Sequence, residues 1–254
     1  MQVTASPEAG LITASSRRGW RLAVGPRVLR VVTGVLVVAG VVAAVQGVAL
    51  DVNAATQAQG PVSVPVFVRL HRLDQLQILQ ATGPGTRTLV PFRLQQGVFQ
   101  PGLELYVHGI PQDTWIDVGT GRSVTLHSWG STITEQLLSR GAGLITGLCL
   151  LWGALVVRGL VLSISRGQPF QRGNPARITQ LAGLIAAATI AAGVLPYLAA
   201  HQVLGRRGLS GPASPLYAHL AIAGAPLLVA LFLLVFAQAF RRGAELAQDT
   251  EGLI

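Results

Sequence analysis

Four long runs of apolar residues alternate with more polar stretches along the chain. The runs lie at 31–50, 139–165, 178–200 and 217–240. Because an α-helix rises about 1.5 Å per residue, about 20 residues cross the roughly 30 Å hydrocarbon layer of a bilayer. The pattern therefore predicts four transmembrane helices.

The first run has an alternative interpretation as a cleaved signal sequence, because Gly47 and Ala49 are small residues at a position suited to cleavage. However, the run is longer than the roughly 7 to 15 residues of a signal core. About thirty residues also precede it. We expect this run to be retained as a helix.

Local signals refine the other three helices. Thr132 and Glu135 have the spacing of a capping box, which predicts that the second helix begins outside the membrane. Tyr217 stands where an interfacial aromatic residue would begin the fourth helix. Pro196 and Pro226 are expected to kink the third and fourth helices.

The segment 51–138 has the period of a β-sheet. Val62, Val64 and Val66 alternate with polar or small residues, which is typical of a strand with one buried face. Similar alternation recurs at 90–94 and 103–107, whereas 73–80 fits neither a helix nor a strand. We expect a segment this small to lean on the bilayer surface or on the helix ends, because it buries little surface by itself.

Two prolines and several glycines organise this segment further. Pro65 and Pro91 lack the amide hydrogen that a ladder needs, so they predict edge strands or bulges. Glycine-containing joints supply turns between the strands. The predicted fold class is a mainly α membrane protein, a four-transmembrane-helix bundle with a small β-rich extracytoplasmic insert between helices 1 and 2.

Composition agrees with a membrane protein and excludes an ordinary soluble domain. The chain is 50% hydrophobic and only 11% charged, against roughly 25% charged residues in soluble domains. All 19 basic residues are Arg, and they flank the apolar runs instead of forming one basic face. We therefore expect no direct binding of nucleic acid. The single cysteine, Cys149, forms neither an intrachain disulfide nor a cysteine-based metal site.

The arginines predict the orientation, because positive side chains are retained on the cytoplasmic side. Five precede the first run, three lie at 166–177, and Arg241 and Arg242 follow the last run. Arg206 and Arg207, on the opposite side, are the exception. The expected location is the cell membrane, multi-pass, with cytoplasmic segments at 1–30, 166–177 and 241–254 and extracytoplasmic segments at 51–138 and 201–216.

The turn at 166–177 combines a helix stop with a helix start. Gly167 suits a C-terminal cap, Pro169 prevents continuation, and Phe170 can fold back as an apolar anchor. Asn174 is a favoured N-cap, and Pro175 fits the first helical position, which needs no amide donor.

This pattern, Gly167, Pro169 and Phe170 followed by Asn174 and Arg177, resembles a bacterial four-span membrane family known as domain of unknown function 2975. The tail resembles the ending of that family at Phe240, Arg241, Gly243, Glu245 and Leu246. The resemblance covers the four spans and both cytoplasmic motifs. It implies a topology and an association with small helix-turn-helix regulators, but no established activity.

Small residues predict close helix packing. Gly143 and Gly147 form a GxxxG pair, and Gly183, Ala187 and Ala191 form a stripe with a spacing of four. The first interpretation is packing among the four helices. The alternative is a surface for a homo-oligomer or another membrane protein partner.

Candidate chemistry is sparse. His201 and His219 invite a haem or metal site, but the spans offer no companion carboxylate or thiolate, so we expect no cofactor. The histidines of the outer segment, His71, His108 and His127, are interpreted as isolated surface imidazoles. The spans hold no Asp, Glu or His near their middle, and Ser163, Ser165 and Ser210 have no evident base.

The expected function is therefore a non-catalytic binding, sensing or regulatory component of the membrane, with the lipid bilayer as its first partner. The outer segment would be coupled through the helices to the turn at 166–177. The acidic tail residues Glu245, Asp249 and Glu251 would dock on Arg172 and Arg177. A small-solute permease subunit and a membrane-bound enzyme or haem protein are the alternatives.

Overall fold

In the computed structural model, the described residues of the chain form four long helices and seven strands. The structure describes residues 26–56, 59–69, 72, 75–83, 86–91, 104–108, 113–118, 123–166, 171 and 173–251. The helices are α1 Pro26–Thr56, α2 Ile133–Ser165, α3 Gly173–Arg206 and α4 Gly224–Glu251. All four are long and apolar enough to cross a membrane. The prediction of a mainly helical chain with four long apolar helices is therefore confirmed.

The strands form one antiparallel sheet with the order β3-β2-β4-β5-β6-β1-β7. Six strands lie between α1 and α2 in the chain, and their bounds are β1 Val62–Val68, β2 Leu76–Gly83, β3 Thr86–Pro91, β4 Glu104–Val107, β5 Thr114–Val118 and β6 Ser123–Ser128. The seventh, β7 Leu216–Tyr217, comes from the α3–α4 connection and pairs with Phe67 and Val68 of β1. The sheet therefore also includes a strand from outside the segment between α1 and α2. The sequence did not predict this additional strand.

The predicted start of the fourth helix is wrong. Tyr217 lies in β7, paired with Phe67, and α4 begins only at Gly224. Pro226 falls in the first turn of α4, where a missing amide hydrogen costs no helical hydrogen bond, so it marks the helix start and not a kink. Pro196 does lie inside α3.

The bounds of other helices and strands also differ in part from the predicted ones. The capping box is confirmed at Thr132, which caps α2. The third helix starts at Gly173 and continues to Arg206, well past the predicted end at 200. The segment 73–80, which the period left open, contributes β2 from Leu76 onward. Pro91 lies in an edge strand, β3, as predicted. The same prediction is wrong for Pro65, because β1 lies between β6 and β7, although β7 pairs with β1 only at Phe67 and Val68.

One face of the sheet packs on the end of α3. Val62, Val64 and Val66 of β1 are fully buried, and the buried face continues through the central strands. The helix contributes its last turns to the same core. The buried residues are Val62, Val64, Val66, Leu76, Leu105, Ile116 and Leu126 of the sheet with Ala199, Ala200, Val203 and Leu204 of α3. The sheet therefore packs on a helix end, and the side chains of its other face are half-buried or exposed.

The contact between α1 and α2 depends on glycine. A Cβ at Gly147 would lie 2.5 Å from the carbonyl oxygen of Ala43, and one at Gly47 would lie 2.6 Å from the Cα of Leu144. A Cβ at Gly40 would lie 2.8 Å from the Cα of Leu151. Since backbones approach this closely only where side chains are absent, these three positions set the packing distance of the two helices.

The second small-residue stripe is placed differently. Ala191 is buried, but Gly183 and Ala187 are exposed, and nothing lies within 4 Å of a Cβ built on Gly183. Gly143 has only the side chain of Leu50 within that distance, although its carbonyl faces Gly47. Within the described part of the chain, Gly183 and Ala187 thus do not set a helix contact.

We expect Gly147→Ala to lower the free energy of unfolding in detergent by about 2 kcal/mol, because the new methyl group collides with the backbone of α1. Gly183→Ala is the matched control. It should leave stability unchanged or raise it by up to about 1 kcal/mol, since alanine has the higher helix propensity. Equal losses in the two variants would contradict this packing, and thermal unfolding of both proteins measures it.

Candidate functional site

The exposed face of the sheet carries a row of polar and aromatic side chains. Gln77 pairs with Tyr106 across β2 and β4, and Trp115 pairs with His127 across β5 and β6. Ser63 of β1 completes the row opposite His127. Since Leu105 pairs with Ile116 in an antiparallel register, Tyr106 and Trp115 are also neighbours. We call Gln77, Tyr106, Trp115, His127 and Ser63 the exposed row.

Three members of this face form a hydrogen-bonded chain. His127 Nε2 lies 2.8 Å from Asp117 Oδ2, and His127 Nδ1 lies 2.9 Å from Ser63 Oγ. The ring of Trp115 stacks on the imidazole at 5.2 Å between centroids and 11° between planes. His127 is therefore not the isolated surface imidazole that the sequence suggested. His108 is not isolated either, because its Nδ1 lies 3.1 Å from Gln77 Nε2, and His71 lies outside the described residues.

A second set of contacts joins the sheet to the helices through two arginines at the end of α3. Arg206 Nε donates to Glu135 Oε1 of α2 at 2.9 Å. Arg207 donates to Asp113 Oδ2 at 3.0 Å and to Ser128 Oγ at 2.8 Å. Both guanidinium groups also donate to the carbonyl oxygen of Trp129. We call Arg206 and Arg207 with these acceptors the arginine clamp.

Glu135 is the centre of this clamp. Its carboxylate accepts from Arg206 with Oε1 and from the backbone N–H of Thr132 with Oε2, so one side chain caps α2 and holds the end of α3. Only 2% of Glu135 is exposed. A carboxylate this deeply buried needs a cation and hydrogen-bond donors, because an uncompensated buried charge is strongly destabilising.

The opposite ends of α2 and α3 are joined by a smaller network. The carboxamide of Asn174 donates to Ser163 Oγ at 2.9 Å, and Ser163 in turn donates to Gln171 Oε1 at 3.0 Å. Arg177 donates to the carbonyl of Gly159 at 3.0 Å and to Asn174 Oδ1 at 3.2 Å. Asn174 is fully buried, so it is a cross-link between the helices. We call these residues the turn network.

The structure describes part of the predicted turn motif and the helix that contains the tail motif. Asn174 lies in the first turn of α3, which starts one residue before it, so the helix begins earlier than an N-cap at this position predicts. Gly167, Pro169 and Phe170 lie outside the described residues. The tail residues Phe240, Arg241, Gly243, Glu245 and Leu246 all belong to α4.

The expected docking of the tail on the turn is not what the described contacts show. Glu245 lies 3.6 Å from Arg241, four residues earlier on its own helix, and both are exposed. Arg177 instead donates to acceptors of α2 and α3. Arg172 and the side chains of Asp249 and Glu251 are outside the described part.

The two histidines considered for haem lie in different surroundings. His201 is in α3, with the ring of Tyr197 at 6.3 Å, whereas His219 follows β7 and contacts Phe67 edge-on at 5.1 Å. Among the described residues, no group of three or more His, Cys, Asp or Glu side chains is placed to hold a metal ion.

Comparison with known proteins gives no family for this chain. No protein-family model, no curated protein and no solved structure matches it. The resemblance to the four-span family therefore stays a prediction.

Neither the arginine clamp nor the chain of Ser63, His127 and Asp117 is predicted from the sequence. A signal for the clamp was present, because Arg206 and Arg207 violate the charge rule and therefore need another role. The second group was hidden, since its members are far apart in sequence and meet only through strand register.

Arg206→Gln is expected to lower the free energy of unfolding by about 3 kcal/mol, because it leaves the buried Glu135 carboxylate without its cation. Arg241→Gln removes the same charge from an exposed pair and should cost less than about 0.5 kcal/mol. Denaturation of both variants in the same detergent provides the comparison. A loss at Arg206 no larger than that at Arg241 would show that the clamp contributes little.

Proposed function

We propose that the chain is a binding or sensing protein of the cell membrane, with the sheet outside and both termini and the turn at 166–177 in the cytoplasm. The arginine distribution supports this orientation, since most arginines outside the sheet segment flank the helix ends opposite the sheet. Arg206 and Arg207, the exception, have Glu135 and Asp113 as partners, which offset their charge.

The observation that carries the proposal is that α2 and α3 are joined by polar contacts at both ends. The arginine clamp ties one end of the pair to the sheet, and the turn network ties the other end around the buried Asn174. A displacement of the sheet would therefore be transmitted through the arginine clamp to α2 and α3, and from there to the turn network at their other ends. Such an element can couple an outer face to the cytoplasmic turn.

The exposed row supports a role in recognition. The Tyr106 hydroxyl donates to Glu104 Oε2 at 3.3 Å, and Glu104 pairs with Asp117 across β4 and β5. Aromatic side chains that are partly exposed next to charged groups are typical of binding surfaces, because they offer apolar area together with polar anchors.

A membrane partner fits the same proposal. Gly183 and Ala187 are exposed on α3, so a helix of a second copy or of another membrane protein could approach the backbone closely there. The lipid bilayer covers the remaining apolar helix surface.

Coupling between the two ends is tested by hydrogen exchange on the full chain in detergent. We expect Arg206→Gln combined with Arg207→Gln to raise exchange rates in β5 and β6 and also at the start of α3, around Asn174. Because coupling free energies are reciprocal, Asn174→Ala should in turn raise exchange in β6.

Arg241→Gln is the control for this experiment, because Arg241 lies in α4 outside both networks. Faster exchange that stays confined to the mutated end in both variants would contradict the proposal.

A further inference from the structure

Ser63, His127 and Asp117 are joined in the order of a nucleophile, a base and an orienting carboxylate. They come from three neighbouring strands, β1, β6 and β5, and the register places Ser63 directly opposite His127. We propose that Ser63 is an activated nucleophile that reacts with carboxylic esters at the exposed face. The inference goes beyond the proposed function, because coupling through the helices needs no reactive serine.

The hydrogen bonds assign the protons. An ionised carboxylate only accepts hydrogen bonds, so Asp117 fixes the hydrogen of neutral His127 on Nε2. The lone pair of Nδ1 then faces Ser63 Oγ at 2.9 Å and accepts a hydrogen bond from the hydroxyl group. This is the arrangement in which an adjacent base activates a hydroxyl group.

The position of the imidazole is fixed by its neighbours. Trp115 stacks on the ring with nearly parallel planes, and Asp117 holds one nitrogen, so the ring keeps the orientation that Ser63 requires. Ser63 itself is exposed, which leaves its Oγ open to a substrate.

The open edge of β1 supplies a donor for the oxyanion. Within the described chain β7 pairs with β1 only at Phe67 and Val68, so no strand lies beside Ser63 on that side. Successive residues of an antiparallel strand direct their N–H groups to opposite sides. Either Ser63 or Val64 therefore presents an amide N–H at the open edge, close to where an oxyanion on Ser63 would form.

The proposed reaction is the hydrolysis of an ester, with water as the second reactant. Ser63 Oγ attacks the acyl carbon while His127 Nδ1 takes the hydroxyl proton, and the bond between the acyl carbon and the alcohol oxygen breaks as the alcohol leaves with that proton. Water then attacks the acyl group on Ser63 and gives a proton to His127. The carboxylic acid is released, and the proton returns to Ser63.

The test uses a fluorophosphonate probe on the purified full-length protein in detergent, followed by intact-mass measurement and peptide mapping. We expect one adduct, located on Ser63, and none in Ser63→Ala. His127→Gln should slow labelling by roughly 100-fold, because the base is lost. Asp117→Asn should slow it less, since Asp117 acts only through the ring.

Two controls keep the result interpretable. Ser165→Ala removes an exposed serine at the end of α2 and should label at the wild-type rate. Thermal unfolding of each variant shows that the sheet is intact, and Asp117→Asn replaces His127→Gln as the decisive variant if the latter is unfolded. No adduct on Ser63 of the folded wild type would overturn the inference, as would unchanged labelling without the base. Neither result affects the hydrogen-exchange test of coupling.

Discussion

The ion pair between Arg206 of α3 and Glu135 of α2 lies where the two helices meet the sheet. Glu135 caps the start of α2 with one carboxylate oxygen and holds Arg206 at the end of α3 with the other. Arg206 and Arg207 then reach the sheet through Ser128 and the carbonyl of Trp129. Two helices and the sheet therefore meet at one buried carboxylate.

The remaining architecture follows from this junction and from the bilayer. The last turns of α3 fill the core of the sheet, so a small sheet without disulfides obtains the buried area that it lacks alone. Within lipid, apolar side chains give no preference for one neighbouring helix over another. The contact between α1 and α2 is therefore determined by close backbone packing at Gly40, Gly47 and Gly147. The polar contacts that define the α2–α3 pair lie at its ends.

The sequence predicted what depends on period and composition. Four apolar runs, the alternation of β1 and the capping box at Thr132 are local patterns, and the structure agrees with each of them. It could not predict what depends on pairing between distant segments. Tyr217 has the character of an interfacial residue, but it pairs with Phe67 as part of the sheet, and α4 therefore begins only at Gly224.

The same limit applies to the candidate site. Nothing in the sequence indicates that Ser63, Asp117 and His127 lie together. The alternation of a strand shows which residues face outward, but it does not show which residue of another strand lies opposite. The arginine pair did give a signal, as two positive charges where the orientation rule expects few. Only the structure shows that Glu135 and Asp113 receive them.

The sidedness of the membrane is the most direct test of the account, because the clamp and the turn network must lie on opposite faces of the bilayer. Ala213→Cys on the sheet side and Ser165→Cys at the other end of α2 are both exposed, and each is placed in a Cys149→Ala background. A membrane-impermeant maleimide applied to intact cells should label position 213 and spare 165 until the membrane is opened. Labelling of both positions, or of 165 alone, in sealed cells would contradict the account.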